Sequence, residues 1–323
     1  MLPRVAVIGM GYWGSKLARV FDELGVLSAL VDTDPERLAA LRAEHPTRPV
    51  FNSIDELLAG LPIDAVAIAT PPERHPDLCR TALQAGWHVL VEKPMALSVS
   101  QGREVVELAE NRKLCFMVGH LLLYHPAMTE LLKLTREKRL GLPLHLYSER
   151  LCTQPLRGGN ALWMLGPHDV SLALSCFGQM PIEVQCQNAP FGRDPKRETV
   201  FLRLRFPHAT ASIRLSTQAE QKVRRVLLAC SERLALFDDL DEQARLRLSM
   251  PLSPHPPTLN LTWTRVSYEA AEPLKVQARH FLECLQNGES PRTHGRHGLE
   301  VLSVLEAAER SLTRNGAPEP LSR

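Results

Sequence analysis

Several features that mark specialised protein classes are missing from this sequence of 323 residues. Its seven cysteines form no CxxC pair, no apolar run is long enough to cross a membrane, and no basic leader precedes an apolar segment. The formal net charge is only +2, without a dense block of lysine and arginine. These absences argue against nucleic-acid and membrane partners. They favour a soluble, cytoplasmic protein with reduced thiols.

The clearest positive signal is an apolar strand that runs into a glycine turn, residues 9–14 (GMGYWG). Gly9 allows the tight turn, Gly11 lets the backbone approach a pyrophosphate, and Gly14 lets the next helix pack closely against the sheet. The helix predicted over residues 13–24 directs its N-terminal amides toward the phosphates. This complete strand, turn and helix pattern predicts a dinucleotide site rather than an ordinary glycine turn.

An acid at the end of the second predicted strand indicates which dinucleotide binds. Asp32 would accept hydrogen bonds from the adenosine ribose and would repel a 2′-phosphate. NAD is therefore favoured over NADP. Arg37 follows in the same loop region and could face a phosphate instead, so NADP is the alternative.

The pattern of apolar residues divides the chain into two domains. The first part alternates strands and helices, which predicts a doubly wound parallel sheet with ligands at the carboxyl ends of its strands, near residues 69–72 and 92–94. From residues 200–206 onward, closely spaced strands with alternating apolar positions predict a large, mostly antiparallel open sheet. We expect an NAD-binding Rossmann domain over residues 1–122. A second α/β domain over residues 123–323 is expected to bind substrate and to mediate oligomerisation.

Local signals mark some boundaries inside these domains. Ser53 with Glu56, and Ser98 with Gln101, have the spacing of capping boxes, which predicts two helix starts. Residues 249–257 are rich in proline and predict a loop.

Five short motifs follow one another along the chain: residues 9–14 (GMGYWG), 69–72 (ATPP), 92–94 (EKP), 118–120 (VGH) and 166–169 (GPHD). This order is typical of the Gfo/Idh/MocA oxidoreductase family, which the chain resembles over nearly its whole length. Two longer segments, residues 119–127 and 162–169, look most like a subgroup that oxidises the 3-hydroxyl of UDP-N-acetylhexosaminuronic acids. The resemblance implies an enzyme that transfers a hydride between a sugar hydroxyl and NAD.

The resemblance also implies a set of site residues. Lys93 and His168 are implied to act on one hydroxyl, with His168 as general base and Lys93 stabilising the developing alkoxide or joining a proton relay. A cis proline is expected after Lys93. The implied cofactor-binding residues are Gly9, Gly11, Tyr12, Trp13, Gly14, Asp32, Thr70, Pro71, His75, Glu92 and Lys93. The candidate substrate-binding residues are Lys93, His120, Tyr124, Arg157, Trp163 and His168, although His120 and Tyr124 could also only pack.

Met164 and a run of three leucines depart from the pattern of many family members. Met164 stands where many have an aspartate four residues before the active-site histidine, and leucines occupy residues 121–123. The absence of the aspartate favours the subgroup above over a typical inositol or glucose dehydrogenase, and the leucines leave the substrate more open than the reaction type. Asp169 is interpreted first as an acid at a helix start and second as a substrate ligand.

Three functions follow as hypotheses. The leading one is an NAD-dependent dehydrogenase acting on a ring hydroxyl of a nucleotide-linked sugar or sugar acid, with Arg157 holding a phosphate or carboxylate. The alternatives are a regulatory protein that binds NAD and sugar without turnover, and a double-bond or imine reductase on the same fold. His294 and His297 have a spacing that a metal could use, but they lack a neighbouring acid or thiol, so no metal is expected. An open sheet face favours a homodimer or homotetramer.

Overall fold

The computed structural model describes residues 2–154, 160–190, 198–251 and 262–321. Arg157 and most of the expected proline-rich loop lie outside the described residues. The chain forms two compact units. The first is Met1–Leu121 with Glu272–Leu302, and the second is Leu122–Ala271 with Ser303–Arg323. Within the described ranges, no helix has the length and apolar character that a membrane crossing needs.

The helices follow in chain order along both units. They are α1 (Tyr12–Glu23), α2 (Pro35–Glu44), α3 (Ile54–Gly60), α4 (His75–Gln84), α5 (Val99–Asn111), α6 (Pro126–Arg136), α7 (Ala161–Phe177), α8 (Pro273–Asn287) and α9 (Gly295–Thr313). Both predicted capping signals are confirmed. Ser53 Oγ accepts a hydrogen bond from the backbone N–H of Glu56 at 3.1 Å, and Ser98 Oγ accepts one from Gln101 at 3.2 Å.

A parallel sheet of six strands forms the centre of the first unit. Its strands are β1 (Val5–Ile8), β2 (Leu27–Val31), β3 (Val50–Phe51), β4 (Ala65–Ile68), β5 (His88–Val91) and β6 (Phe116–Val118). Their spatial order is β3-β2-β1-β4-β5-β6, and each neighbouring pair is parallel. All residues of β1 and β4 are buried, as expected for strands covered on both faces. The chain reverses its order between β1 and β4, which is where doubly wound sheets bind ligands. The predicted Rossmann sheet is confirmed.

The observed division of the chain differs from the predicted one at α8 and at the start of α9. The sequence predicts that residues 272–302 belong to the second domain, whereas α8 packs against α1 in the first unit. Glu272 pairs with Arg19, and Lys275 Nζ lies 2.9 Å from Glu23 Oε2. The amphipathic pattern of α8 predicts that one face is buried, but it does not specify the partner.

A mostly antiparallel sheet of nine strands forms the second unit. Its strands are β7 (Pro143–Leu151), β8 (Glu183–Pro190), β9 (Glu198–Arg205), β10 (Thr210–Ser216), β11 (Val223–Cys230), β12 (Leu234–Asp238), β13 (Leu246–Ser249), β14 (Trp263–Arg265) and β15 (Glu319–Pro320). The order is β14-β13-β12-β11-β7-β10-β9-β8-β15, in which only the β7–β10 pair is parallel among the described strands. The predicted antiparallel open sheet is confirmed.

One face of this sheet is apolar and is covered by α7. Val200, Leu202 and Leu204 of β9 are buried on the predicted apolar face, and α7 lies against β7, β9 and β10. Strand β7 was not predicted, because Ser148 and Arg150 stand where an apolar alternation would need hydrophobic residues.

Candidate active site

Two of the three glycines in the turn have no space for a side chain, whereas the third lies beside space that a ligand could fill. Gly9 has φ +89°, and a Cβ there would lie 2.7 Å from Thr70 Cγ2. A Cβ on Gly14 would overlap the carbonyl oxygen of Gly9. Among the described residues, no atom lies within 4 Å of a Cβ added to Gly11. Gly9 and Gly14 are therefore required by the fold itself, whereas the described residues leave space beside Gly11 at the N-terminus of α1.

The buried hydroxyl of Thr70 lies beside this turn. Thr70 follows β4, at the carboxyl edge of the sheet, and its Oγ1 has no hydrogen-bond partner among the described residues. A buried polar group left unpaired costs about 1–3 kcal/mol, so a ligand hydroxyl or phosphate would satisfy it. Pro71 comes next and precedes the 3₁₀ turn Pro72–Arg74. The open space at Gly11 and the unpaired Thr70 hydroxyl both fit a bound dinucleotide.

Asp32 stands at the end of β2 as an ordered, ionised acid. Its Oδ2 accepts hydrogen bonds from Met10 N at 2.6 Å and from Arg37 Nη1 at 2.9 Å, and its Oδ1 accepts one from Asp34 N at 2.9 Å. Burial alone would raise the pKa of Asp32, but these donors outweigh it and hold the pKa below its usual value. The structure thus brings Asp32 and Arg37 together as an ion pair.

Aromatic and cationic side chains gather on the first turn of α1. The rings of Tyr12 and Trp13 pack edge to face at 5.7 Å, and Tyr12 is 72% exposed. Lys16 Nζ lies 4.2 Å from the centre of the Tyr12 ring and donates a hydrogen bond to its hydroxyl at 2.8 Å. The sequence motifs do not identify Lys16 as part of the site. Its position four residues after Tyr12 does place both side chains on one helix face. It adds positive charge beside the glycine turn.

The Glu-Lys-Pro motif follows β5, and the peptide bond between Lys93 and Pro94 is cis, as expected. Glu92 accepts a long hydrogen bond of 3.3 Å from the backbone N–H of Lys93. Its carboxyl group lies against Gly119, where an added Cβ would be 3.1 Å from it. Burial raises the pKa of Glu92 to about 7, although the positive charge of Lys93 and the Lys93 N–H oppose this. Glu92 can therefore exchange a proton near neutral pH.

His75 is the first residue of α4 and is 1% exposed. Its Nδ1 lies 2.8 Å from Pro94 O, and its Nε2 lies 2.8 Å from Thr70 O. Both ring nitrogens thus contact the loops after β4 and β5. The role of His75 at the cofactor stays a prediction.

His120 lies beyond the end of β6 and is 2% exposed. Neither of its ring nitrogens has a hydrogen-bond partner within the described part of the chain. Its ring packs edge to face on His297 at 5.5 Å. Burial, with smaller contributions from His297 and Lys93, lowers the pKa of His120 well below its usual value. His120 is therefore a buried, neutral imidazole.

His294 and His297, whose spacing in the sequence a metal could use, have ring centres 6.5 Å apart. In the part of the chain that the structure describes, no three histidine, cysteine, aspartate or glutamate side chains are grouped to hold a metal ion.

Helix α7 carries His168 in the second unit. Asn160 Oδ1 accepts a hydrogen bond from Trp163 N at 3.0 Å and caps the helix. Trp163 is buried on the first turn, and His168 is half-buried two turns into the helix, one turn after Met164. Tyr124 is fully buried in the 3₁₀ turn Leu121–Tyr124.

The prediction that Asp169 is an acid at a helix start is wrong, because α7 begins at Ala161 and Asp169 lies in its middle. Asp169 is completely buried. It accepts hydrogen bonds from Ser148 Oγ at 2.6 Å and from Arg150 Nε and Nη2 at 2.7 and 3.2 Å. These partners, which were missed from sequence, connect α7 to β7.

Comparisons with protein families agree with this architecture. Residues 3–120 match the model described as an oxidoreductase family with an NAD-binding Rossmann fold. Residues 130–234 match the GFO/IDH/MocA C-terminal domain. The chain belongs to the Gfo/Idh/MocA family. The resemblance found in the sequence is therefore confirmed, and the chain is an NAD(P)-dependent oxidoreductase.

Individual members of the Gfo/Idh/MocA family resemble this chain over much of its length. This chain is 31% identical over 241 residues, or 74% of each chain, to UDP-N-acetylglucosamine 3-dehydrogenase of Acidithiobacillus ferrooxidans. A crystal structure of that enzyme, GnnA, superposes with a TM-score of 0.85 at 26% identity and covers 98% of this chain and 99% of its own. The WlbA dehydrogenase of Bordetella pertussis, in complex with NADH and UDP-GlcNAcA, has a TM-score of 0.82 at 24% identity over the full length of both chains. The WlbA likeness shows the fold alone.

Proposed function

We propose that this Gfo/Idh/MocA enzyme is an NAD-dependent dehydrogenase that oxidises a ring secondary hydroxyl of a nucleotide-linked sugar or sugar acid. The observation that carries the proposal is the identity of 31% over three quarters of the chain to a UDP-N-acetylglucosamine 3-dehydrogenase. Lys93 after β5 and His168 on α7 are both present at the motif positions for such a reaction.

The proposed chemistry assigns each residue one task. Bound NAD supplies a hydride acceptor at the nicotinamide ring. His168 takes the proton from the substrate hydroxyl as general base, because an imidazole titrates near neutral pH. The Lys93 ammonium group donates a hydrogen bond to the same oxygen and stabilises the alkoxide as it forms. Glu92, with its pKa raised to about 7, exchanges a proton beside Lys93.

The preference for NAD rests on Asp32. Its carboxylate is ionised and would repel a 2′-phosphate, while its pairing with Arg37 reduces the positive charge that could attract one. We expect NAD⁺ to bind at least about tenfold more tightly than NADP⁺. Asp32→Ser should lower this ratio, whereas Lys138→Ser, at an exposed turn, should leave it unchanged. Equal affinities in the unaltered protein would contradict the preference.

The substrate assignment adds further residues. His120, Tyr124 and Trp163 are proposed as substrate-binding residues. Arg157, outside the described residues, is proposed to hold a phosphate or carboxylate through paired N–H groups. The proposed partner is thus a small sugar with an anionic group, not a nucleic acid or a membrane.

The proposal is tested with NADH fluorescence under single-turnover and steady-state conditions. The panel contains UDP-sugars, UDP-sugar acids, free hexoses and inositols, each with NAD⁺. His168→Ala should lower kcat by about 100- to 10,000-fold while NAD⁺ affinity stays nearly constant. His208→Ala, at an exposed position, is the matched control. Turnover that is unchanged in His168→Ala would remove His168 from the mechanism, and a panel without signal would contradict the substrate class.

The open face of the nine-stranded sheet supports a homo-oligomer as part of this proposal. Tyr147 and Phe201 expose 38% and 49% of their surfaces. Beside them, side chains of alternating charge face one another across four strands, a pattern that a second copy of the chain can complement. They are Asp238, Arg225, Glu149 and Arg214. Light scattering should show a dimer or tetramer that Phe201→Glu disrupts and Leu58→Glu does not. A monomer at working concentration would contradict the assembly.

A further inference from the structure

The ring of His75 is placed between two hydrogen-bond acceptors. Each of its nitrogens lies 2.8 Å from a backbone carbonyl oxygen, Nδ1 from Pro94 O and Nε2 from Thr70 O. A neutral imidazole carries one N–H and can donate to only one of these oxygens, whereas an imidazolium carries two and can donate to both. Both of these close contacts are therefore hydrogen bonds only when the ring carries a second proton.

The two acceptors belong to the two loops that matter for cofactor and chemistry. Thr70 contacts the glycine turn, since an added Cβ on Gly9 would lie 2.8 Å from Thr70 N. Pro94 directly follows Lys93 at the end of β5. The ring of His75 thus joins the turn proposed to receive the pyrophosphate to the loop that carries the lysine.

The charges around the ring set how readily it holds a second proton. Burial lowers the pKa of His75, while the two carbonyl oxygens raise it by a smaller amount. The charged groups that face the ring are Glu73, which favours the imidazolium, and Lys93, which disfavours it. The N-terminal end of α4 also disfavours a positive charge at this residue. The balance is a pKa below the usual value, and negative charge at the glycine turn would raise it.

We propose that His75 takes up a proton when the dinucleotide binds, and that the doubly protonated ring then fixes the loop that carries Lys93. His75 is thus a positioning residue that acts through Thr70 and Pro94. The proposal rests on the dinucleotide site described above. It couples cofactor affinity to pH: binding is tightest where the ring is already protonated and weakens as the pH rises.

The experiment uses the full chain with NADH. Nitrogen-15 NMR of the histidine rings at neutral pH should show His75 with one protonated nitrogen in the free protein and two in the NADH complex. Calorimetry in buffers of different ionisation enthalpy should show uptake of up to one proton per NADH. The Kd for NADH should rise by up to about tenfold per pH unit between the pKa values of the free and bound protein.

Two variants connect these signals to the ring. His75→Gln keeps an amide donor but does not titrate, so proton uptake should disappear and the Kd should become independent of pH in that range. His208→Gln should behave like the unaltered protein. If His75→Gln does not fold, the ring signals of the unaltered protein still decide the question.

The outcomes separate this proposal from the proposed function. NADH binding without proton uptake, with one bare nitrogen on His75 in the complex, would overturn the role of His75 and leave dinucleotide binding intact. Uptake that persists in His75→Gln would also overturn it, by assigning the proton to another group. A protein that does not bind NADH at all would overturn both proposals.

Discussion

Two acids lie next to the two proposed catalytic residues, and their surroundings differ. Glu92 precedes Lys93 in the first unit, and Asp169 follows His168 in the second. Within the described ranges, the carboxylate of Asp169 accepts three hydrogen bonds, two of them from the guanidinium group of Arg150. From the same part of the chain, the carboxyl group of Glu92 accepts one long bond, from the adjacent backbone N–H, and its pKa is raised to about 7.

This contrast shows that position beside a motif residue does not determine what an acid does. A buried carboxylate with a paired guanidinium holds two elements together, here α7 and β7. A buried carboxyl with few donors is instead easily protonated, which suits proton exchange. We therefore expect Asp169 to act on stability and Glu92 to act on pH dependence.

The largest expected effect comes from removing the acid that pairs with Arg150. Asp169→Ala leaves the guanidinium group of Arg150 almost fully buried without its partner, so the free energy of unfolding should fall by about 3–5 kcal/mol. Chemical denaturation measures this loss. Glu110→Ala, which breaks an exposed pair with Arg296, should cost less than about 1 kcal/mol. Equal losses in the two variants would show that Asp169 contributes no more to stability than an exposed ion pair does.

A smaller effect is expected for Glu92, and it depends on pH. Its pKa is raised in the folded protein from 4.5 to about 7, so the folded state binds more protons than the unfolded state between these values. Stability should therefore fall as the pH rises from about 4.5 to 7, by roughly 3 kcal/mol at most.

Glu92→Gln should remove this part of the pH dependence, because an amide does not titrate. Denaturation at several pH values compares it with Glu107→Gln, at an exposed position of α5, which should retain the slope of the unaltered protein. An unchanged slope in Glu92→Gln would show that Glu92 does not titrate in this range.

The smallest effect is expected from removing the hydrogen bond that Ser148 donates to Asp169. Ser148→Ala removes a 2.6 Å hydrogen bond to Asp169 but leaves both bonds from Arg150, so a loss of about 1–2 kcal/mol is expected. Ser212→Ala, on the other face of the sheet, should be nearly neutral. A loss as large as that of Asp169→Ala would mean that Ser148, rather than Arg150, holds the carboxylate.

Much of the architecture followed from sequence where short-range rules apply. The turn at residues 9–14, the capping signals at Ser53 and Ser98, and the alternation along β9 each correspond to the observed elements. Strand β7 was missed because its inward positions carry Ser148 and Arg150, whose burial depends on Asp169 in another element. The roles of the site residues stay predictions.

The turn that a dinucleotide needs can be predicted from the amino-acid sequence, because its glycines lie within a few residues of one strand and one helix. The family can be predicted as well, from motifs in a characteristic order. Three contacts are visible only in the fold: α8 packs against α1, Asp169 pairs with Arg150, and His75 lies between two carbonyl oxygens. These contacts join separate elements, and burial then sets the protonation of the groups involved, which no local pattern contains.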